Sequence, residues 1–125
     1  MKHDIPRLPD GELEVMQAIW KLNREAERKD IEEIICQNHP IAMTTLLTFL
    51  SRLTEKGFIE TRKTGRTGTY RALIDRHDYL AAQSGRFINK ICGGSISAFA
   101  SALCDSGISQ EELEELSELL KGGKL

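Results

Sequence analysis

Three amphipathic helical patterns, a glycine-centred hairpin and then three more helical stripes predict a mainly α chain with a small β-hairpin. The 125 residues, 40% hydrophobic and 29% charged, suit one or two small domains. Asp10 is positioned as an N-cap, and Leu13, Val15, Met16, Ile19 and Trp20 follow at spacings of three and four, predicting a first helix that ends near Asn23. Polar residues 24–29 read as a connection. Residues 30–38 place Ile31, Ile34 and Ile35 on one face, and His39-Pro40 stops this second helix, because the residue before a proline is pushed out of the α region.

A third helix is predicted over 43–56, with Leu46, Phe49, Leu50 and Leu53 at helical spacing and Gly57 placed for a left-handed C-cap. Two strands rich in Thr, Ile, Tyr and Phe follow at 58–63 and 69–74, joined by the turn Thr64-Gly65-Arg66-Thr67-Gly68. Three helices and then a hairpin are the element order of a winged helix-turn-helix, assigned to residues 1–76. Beyond it, 75–92 reads as one long helix carrying Leu80, Phe87, Ile88 and Ile91, broken by Gly93-Gly94. Ile96, Phe99, Ala100 and Leu103 form a further stripe up to Gly107. Ser109 and Glu112 make a capping box that opens a last helix with Leu113, Leu116, Leu119 and Leu120. Residues 77–125 are therefore expected to be a separate helical domain, and no internal repeat is present.

The formal net charge is −2, which argues against a protein coated with positive charge. Its distribution says more. Residues 42–76 hold seven basic side chains against three acidic ones, while the segments on either side are each net −3. Positive charge is thus confined to the third helix and the hairpin, the footprint of a nucleic-acid reader with an acidic body. No stretch approaches the ~18 apolar residues of a membrane span, and residues 1–10 lack the apolar core of a secretory signal. A cytoplasmic protein without membrane insertion is expected.

Catalytic and metal chemistry find little footing. There is no Gly-rich phosphate loop, G-x-S-x-G or H-E-x-x-H. His3, His39, His77, Cys36, Cys92 and Cys104 fall in no ligand spacing, so neither an enzyme, a metal site nor a cofactor is expected. The odd cysteine count gives no disulfide framework and fits a reducing compartment. Free cysteine most often packs as a small hydrophobe, and Cys36 lies beside the Ile34-Ile35 face. Cys92 and Cys104 also suggest redox sensing.

In a helix-turn-helix the second helix of the motif enters the major groove and its first turns meet the bases. Thr44, Thr45 and Thr48 supply short hydroxyls there, as base or phosphate contacts. Arg52 and Lys56, one and two turns on, are placed to hold phosphates. Lys63 and Arg66 extend that role to the hairpin, where Arg66 lies in the turn between Gly65 and Gly68. Lys and Arg on a hairpin also serve simply to block edge pairing. In the C-terminal third, Phe87, Ile91, Ile96, Phe99, Leu103, Leu113, Leu116 and Leu120 exceed what so short a tail buries. Packing back on the winged helix is one outcome. A two-fold homodimer is preferred, because it sets two recognition helices on successive half-sites.

Leu13-Glu14-Val15-Met16 with Ile19-Trp20, Thr44-Thr45-Leu46-Leu47-Thr48 with Arg52-Leu53 and Lys56-Gly57-Phe58, and Gly93-Gly94-Ser95 followed by Ser109-Gln110-Glu111-Glu112-Leu113 resemble, in unbroken order from about residue 8 to residue 120, the penicillinase repressor (BlaI/MecI) family. The resemblance implies a bacterial transcriptional repressor, with a winged helix for palindromic operators and a helical dimerisation domain. In members that control β-lactam resistance, a membrane sensor with a cytoplasmic metallopeptidase leads to cleavage in the dimerisation domain. By alignment from Gly93-Gly94, that family's Asn-Phe scissile pair falls on Ser101 and Ala102, so the chain departs from the pattern there. The C-x-C cluster of a copper-responsive branch is absent from the tail Lys121-Gly122-Gly123-Lys124-Leu125. Some members carry Arg where this chain has Leu47, which can meet a thymine methyl or face away from the groove. The function expected is a dimeric DNA-binding repressor of a double-stranded palindromic operator. The alternative is a winged-helix adaptor that docks proteins without DNA binding.

Overall fold

The apolar stripes of three helices converge on one core, and their order along the chain sets the architecture. The computed structural model describes residues 5–123, so His3, Lys124 and Leu125 lie outside the described residues. The first seven elements are α1 (Asp10–Leu22), β1 (Ala26–Glu27), α2 (Arg28–Ile35), α3 (Met43–Glu55), β2 (Ile59–Thr64), β3 (Thr67–Ala72) and α4 (Arg76–Arg86). A π-helical turn (Phe87–Ile91), α5 (Ile96–Cys104) and α6 (Gln110–Gly122) complete the described chain. It divides into two compact units, one ending at Gln83 and the other beginning at Ser84.

In the first unit, Val15, Met16 and Ile19 of α1, Ile31 and Ile35 of α2, and Leu46, Leu50 and Leu53 of α3 are buried against Phe58 and Ile59. Each such side chain contributes roughly 1.5–3 kcal/mol by leaving water. Tyr79 of α4 belongs to this core. Its ring meets Phe58 edge-on at 5.9 Å and Trp20 at 5.7 Å. Its hydroxyl accepts the Leu8 N–H at 2.9 Å. The first turns of α4 therefore pack with the winged helix.

The helix starts differ from the sequence expectation by one or two residues, for electrostatic reasons. Pro9, not Asp10, is the N-cap of α1, and its carbonyl accepts the Leu13 N–H at 2.9 Å. Asp10 and Glu12 fall in the first turn, where negative charge is favoured. α2 begins before Asp30, because the Asp30 carboxylate accepts the Glu27 N–H at 3.0 Å and so caps from inside the helix. That bond, before the Arg24 charge, holds Asp30 below the usual carboxylate range. Cys36 corrects an expectation. It caps α2 one position past the buried Ile35, turned off the apolar stripe, and it is exposed rather than packed as a small hydrophobe. Gly57 does close α3, at φ +80°, with Phe58 N–H bonded to Leu53 O at 3.0 Å.

The connection expected over 24–29 contains the two-residue strand β1, so the sheet has three strands in the order β1-β3-β2. Ala26 pairs with Tyr70, and β2 pairs antiparallel with β3 from Ile59↔Ala72 to Thr64↔Thr67. The expected five-residue turn shortens to Gly65-Arg66. Gly65 alone takes a positive φ, +64°, the pattern of a II′ hairpin that matches strand twist.

In the second unit the single helix expected over 75–92 is interrupted. α4 ends at Arg86, and the Cys92 N–H reaches Phe87 O at 3.0 Å, which opens a wider π turn. The break at Gly93-Gly94 is as expected. Ser95 caps α5, and Ser109 with Glu112 caps α6 reciprocally at 3.1 and 3.0 Å. Phe87 and Phe99 meet edge-on at 5.9 Å. Among the described residues no single helix is long and apolar enough to cross a membrane.

Candidate nucleic-acid interface

α3 has two faces because 100° per residue separates its leucines from its hydroxyls. Leu46, Leu50 and Leu53 are fully buried, which turns Thr44, Thr48 and Ser51 outward as exposed side chains. Thr45 and Arg52 are exposed along a second edge. The Thr48 hydroxyl donates to Thr44 O at 2.9 Å, which leaves its oxygen free to accept.

Ion pairing separates the cations of this segment. Arg71 donates to Glu60 Oε2 at 2.5 Å on neighbouring strands, and the Arg71 guanidinium holds Glu60 below the usual carboxylate range. Arg62 lies 3.8 Å from Glu25. Lys56, expected to hold a phosphate, instead bonds the Glu12 carboxylate of α1, whose side chain is only 3% exposed. Arg52, Lys63 and Arg66 are exposed and make no ion pair with a described residue. The structure thus presents three unneutralised cations, Arg52 on α3 and Lys63 and Arg66 on the hairpin, and uses Lys56 to fasten the end of α3 to α1.

The hairpin turn and α3 enclose a cleft of about 370 Å³, lined by Glu27, Arg28, Lys29, Leu47, Arg66, Thr67, Gly68 and Tyr70. β1 is what brings α2 into this cleft, since Glu27 pairs with Thr69 of β3. Arg28 is tied to Glu32 one turn on, whereas Lys29 is 74% exposed and only 3.6 Å from Glu27. Lys29 was not singled out from the sequence. The adjacent pair Arg28-Lys29 was the signal, but a two-residue strand has no periodicity to locate it. Leu47, for which two orientations were open, is 41% exposed and lines the cleft.

Phe87, Ile91, Ile96 and Leu120 are exposed, at 38%, 72%, 64% and 60%. Phe99, Leu103, Leu113 and Leu116 are half-buried within the second unit. Ser101 and Ala102 are both exposed on α5. Cys104 is exposed and Cys92 half-buried, and both are free thiols. No group of His, Cys, Asp and Glu among the described residues is arranged to hold a metal ion.

A family model described as penicillinase repressor matches residues 8–122. The penicillinase repressor of Bacillus licheniformis is 33% identical over 121 residues, covering 96% of this chain and 94% of that protein. The methicillin resistance regulatory protein MecI of Staphylococcus aureus (strain N315) is 32% identical over 114 residues, covering 90% and 92%. Among solved structures, the DNA-binding domain of the repressor BlaI superposes with a TM-score of 0.53 at 34% identity, covering 61% of this chain and 92% of that one. Monomeric Bacillus licheniformis BlaI in complex with the blaP half-operator superposes with a TM-score of 0.51 at 34% identity and the same coverage. The helices and wing therefore form the winged-helix fold of those repressors, and the chain belongs to the penicillinase repressor (BlaI/MecI) family.

Proposed function

We propose that this protein is a dimeric transcriptional repressor that binds a palindromic double-stranded operator through α3 and the β2–β3 wing. The observation that carries the reading is the arrangement on α3. Outward hydroxyls on α3 are joined by the exposed, unpaired cations Arg52 on the same helix and Lys63 and Arg66 on the wing, while the segments on either side of 42–76 are net acidic. Thr44, Thr45 and Thr48 position or read bases, Arg52, Lys63 and Arg66 hold phosphates, and Lys29 adds a contact at the start of α2. Lys56 acts from behind, by holding the end of α3 to Glu12. The second unit, from Ser84 on, supplies dimerisation, and the exposed Phe87, Ile91, Ile96 and Leu120 support an isologous contact. A repressor of this kind works in the cytoplasm, where its operator lies. Ser101 and Ala102 replace the side chains that cleavage by a membrane sensor's metallopeptidase would recognise, which speaks against release by that route.

The test is a gel shift on the DNA upstream of its own gene across a salt series. A two-fold symmetric footprint is expected, with affinity falling steeply as salt rises because each phosphate contact releases counterions. Arg66→Ala should weaken binding to all duplexes alike and reduce the salt slope by about 1. Thr48→Ala should change the preference among sequences. No binding at low salt would overturn the reading in favour of a protein-docking adaptor.

A further inference from the structure

The recognition face of α3 carries two apolar side chains that the core does not use. Met43 is 52% exposed and Leu47 41% exposed, although Leu46 and Leu50 beside them are fully buried. Positions i and i+4 of a helix share a face, so the two side chains form one apolar edge of α3. Leu47 lines the cleft that Arg66 borders with an unpaired positive charge, and on whose α2 side Lys29 is paired with Glu27. An apolar edge beside the unneutralised Arg66 suits a ligand that is anionic at its rim and apolar at one point of its face. Neither thioether nor isobutyl group supplies a useful hydrogen bond to a base edge, and the apolar group exposed in the major groove of DNA is the C5 methyl of thymine.

The geometry points to Leu47 and Met43 as specificity-determining residues that contact thymine methyl groups in the operator half-site. This rests on the repressor reading and adds to it the base that this edge selects. The two Cα atoms are separated by about 6 Å along the helix, close to two base-pair steps of B-DNA at about 3.4 Å each. Two methyl-sensitive positions within about two steps of each other are therefore expected. Arg66 and Lys63 would hold the backbone alongside, so the methyl contacts add discrimination to an affinity that is mostly electrostatic.

The experiment uses full-length protein and a duplex recovered from a randomised library by selection with that protein. Each thymine is replaced singly by deoxyuridine, which keeps every hydrogen-bonding group and removes only the methyl. For the wild type, one or two positions should lose roughly four-fold in affinity, the value of burying one methyl group. In Leu47→Ala the uracil effect at one of those positions should fall below two-fold, and in Met43→Ala the same should hold for the other. Leu47→Gln, which keeps the length of the side chain but not its apolar surface, should behave as Leu47→Ala does. Equal affinity for thymine and uracil at every position would overturn the proposal, as would a uracil effect that persists unchanged in all three variants. Either result would leave the repressor reading standing, since the selected duplex is still bound. Recovery of no duplex would overturn that reading and this inference with it.

Discussion

Replacing Lys56 by Met tests whether this lysine is a fastener inside the fold or a grip on DNA. The Glu12 side chain is 3% exposed and that of Lys56 35% exposed, and they are bonded to each other. Methionine keeps the apolar stem of Lys56 packed and leaves the Glu12 carboxylate buried without its partner. Removing one member of a fully buried pair costs about 3–5 kcal/mol. Two features reduce that here. Water reaches the lysine end, and Glu12 lies in the first turn of α1, where free backbone N–H groups favour negative charge by about 0.3–1 kcal/mol. A loss of about 2–3 kcal/mol remains, which for a domain of this size lowers Tm by roughly 10–20 °C. Glu12→Gln should cost less, about 1 kcal/mol, because the ammonium left behind is partly solvated. The double variant should cost less than the sum of the two. Thermal unfolding followed by circular dichroism gives all three values, and a salt series of DNA binding completes the experiment. The reasoning fails if Lys56→Met leaves Tm within a few degrees of wild type while the salt slope drops by about 0.9, the signature of a lost phosphate contact.

Three further outcomes follow from single contacts. Tyr79→Phe strands the buried Leu8 N–H, now bonded to the phenol at 2.9 Å, and should cost about 1–3 kcal/mol in urea unfolding; an unchanged midpoint would mean that water reaches this N–H. His39 bonds the Pro40 carbonyl at 2.9 Å and Glu14 at 2.7 Å, and these acceptors, the carbonyl first, raise its pKa above 6.5. Since the folded state binds the proton more tightly, this stabilisation is fully present below the unfolded pKa of 6.5 and is lost as pH rises through the raised value. The Tm advantage of wild type over His39→Gln should therefore shrink with increasing pH, and a pH-independent difference would contradict the assignment. Ser109→Ala removes the acceptor for the Glu112 N–H, and should weaken the start of α6 by roughly 1 kcal/mol, seen as faster amide exchange confined to its first turn.

Much of the first unit was legible because local chemistry and packing agree there. The stripes of α1 and α3 and the cap at Gly57 are short-range signals, and Leu46, Leu50 and Leu53 lie in the core as their spacing predicts. By contrast, α2 closes at Ile35 with Cys36 as its C-cap, ahead of the stop expected at His39-Pro40. The hairpin was legible from its Thr and Tyr residues, but its turn was read three residues too long. β1 was not legible. Two residues have no period, and Ala26 and Glu27 become a strand only because β3 offers an edge to pair with. The π turn after Arg86 was equally hidden, since the apolar spacing of Phe87, Ile88 and Ile91 fits a plain α-helix.

By itself, the sequence determined the order and type of the main elements, the outward hydroxyls of α3 and the concentration of positive charge between residues 42 and 76. Those properties depend on neighbours within a few positions along the chain. Which cations remain available was decided only by the tertiary structure. Glu12 and Lys56 are 44 positions apart, and Arg71 and Glu60 are 11 apart. Only folding brings such carboxylates within reach of the cations they neutralise. The same holds for the second edge of the site. Lys29, Leu47 and Arg66 come from three elements and share one cleft because β1 pins α2 against the wing. Formal charge is a property of residues, but the field a ligand meets is set by the charges that the fold leaves unpaired.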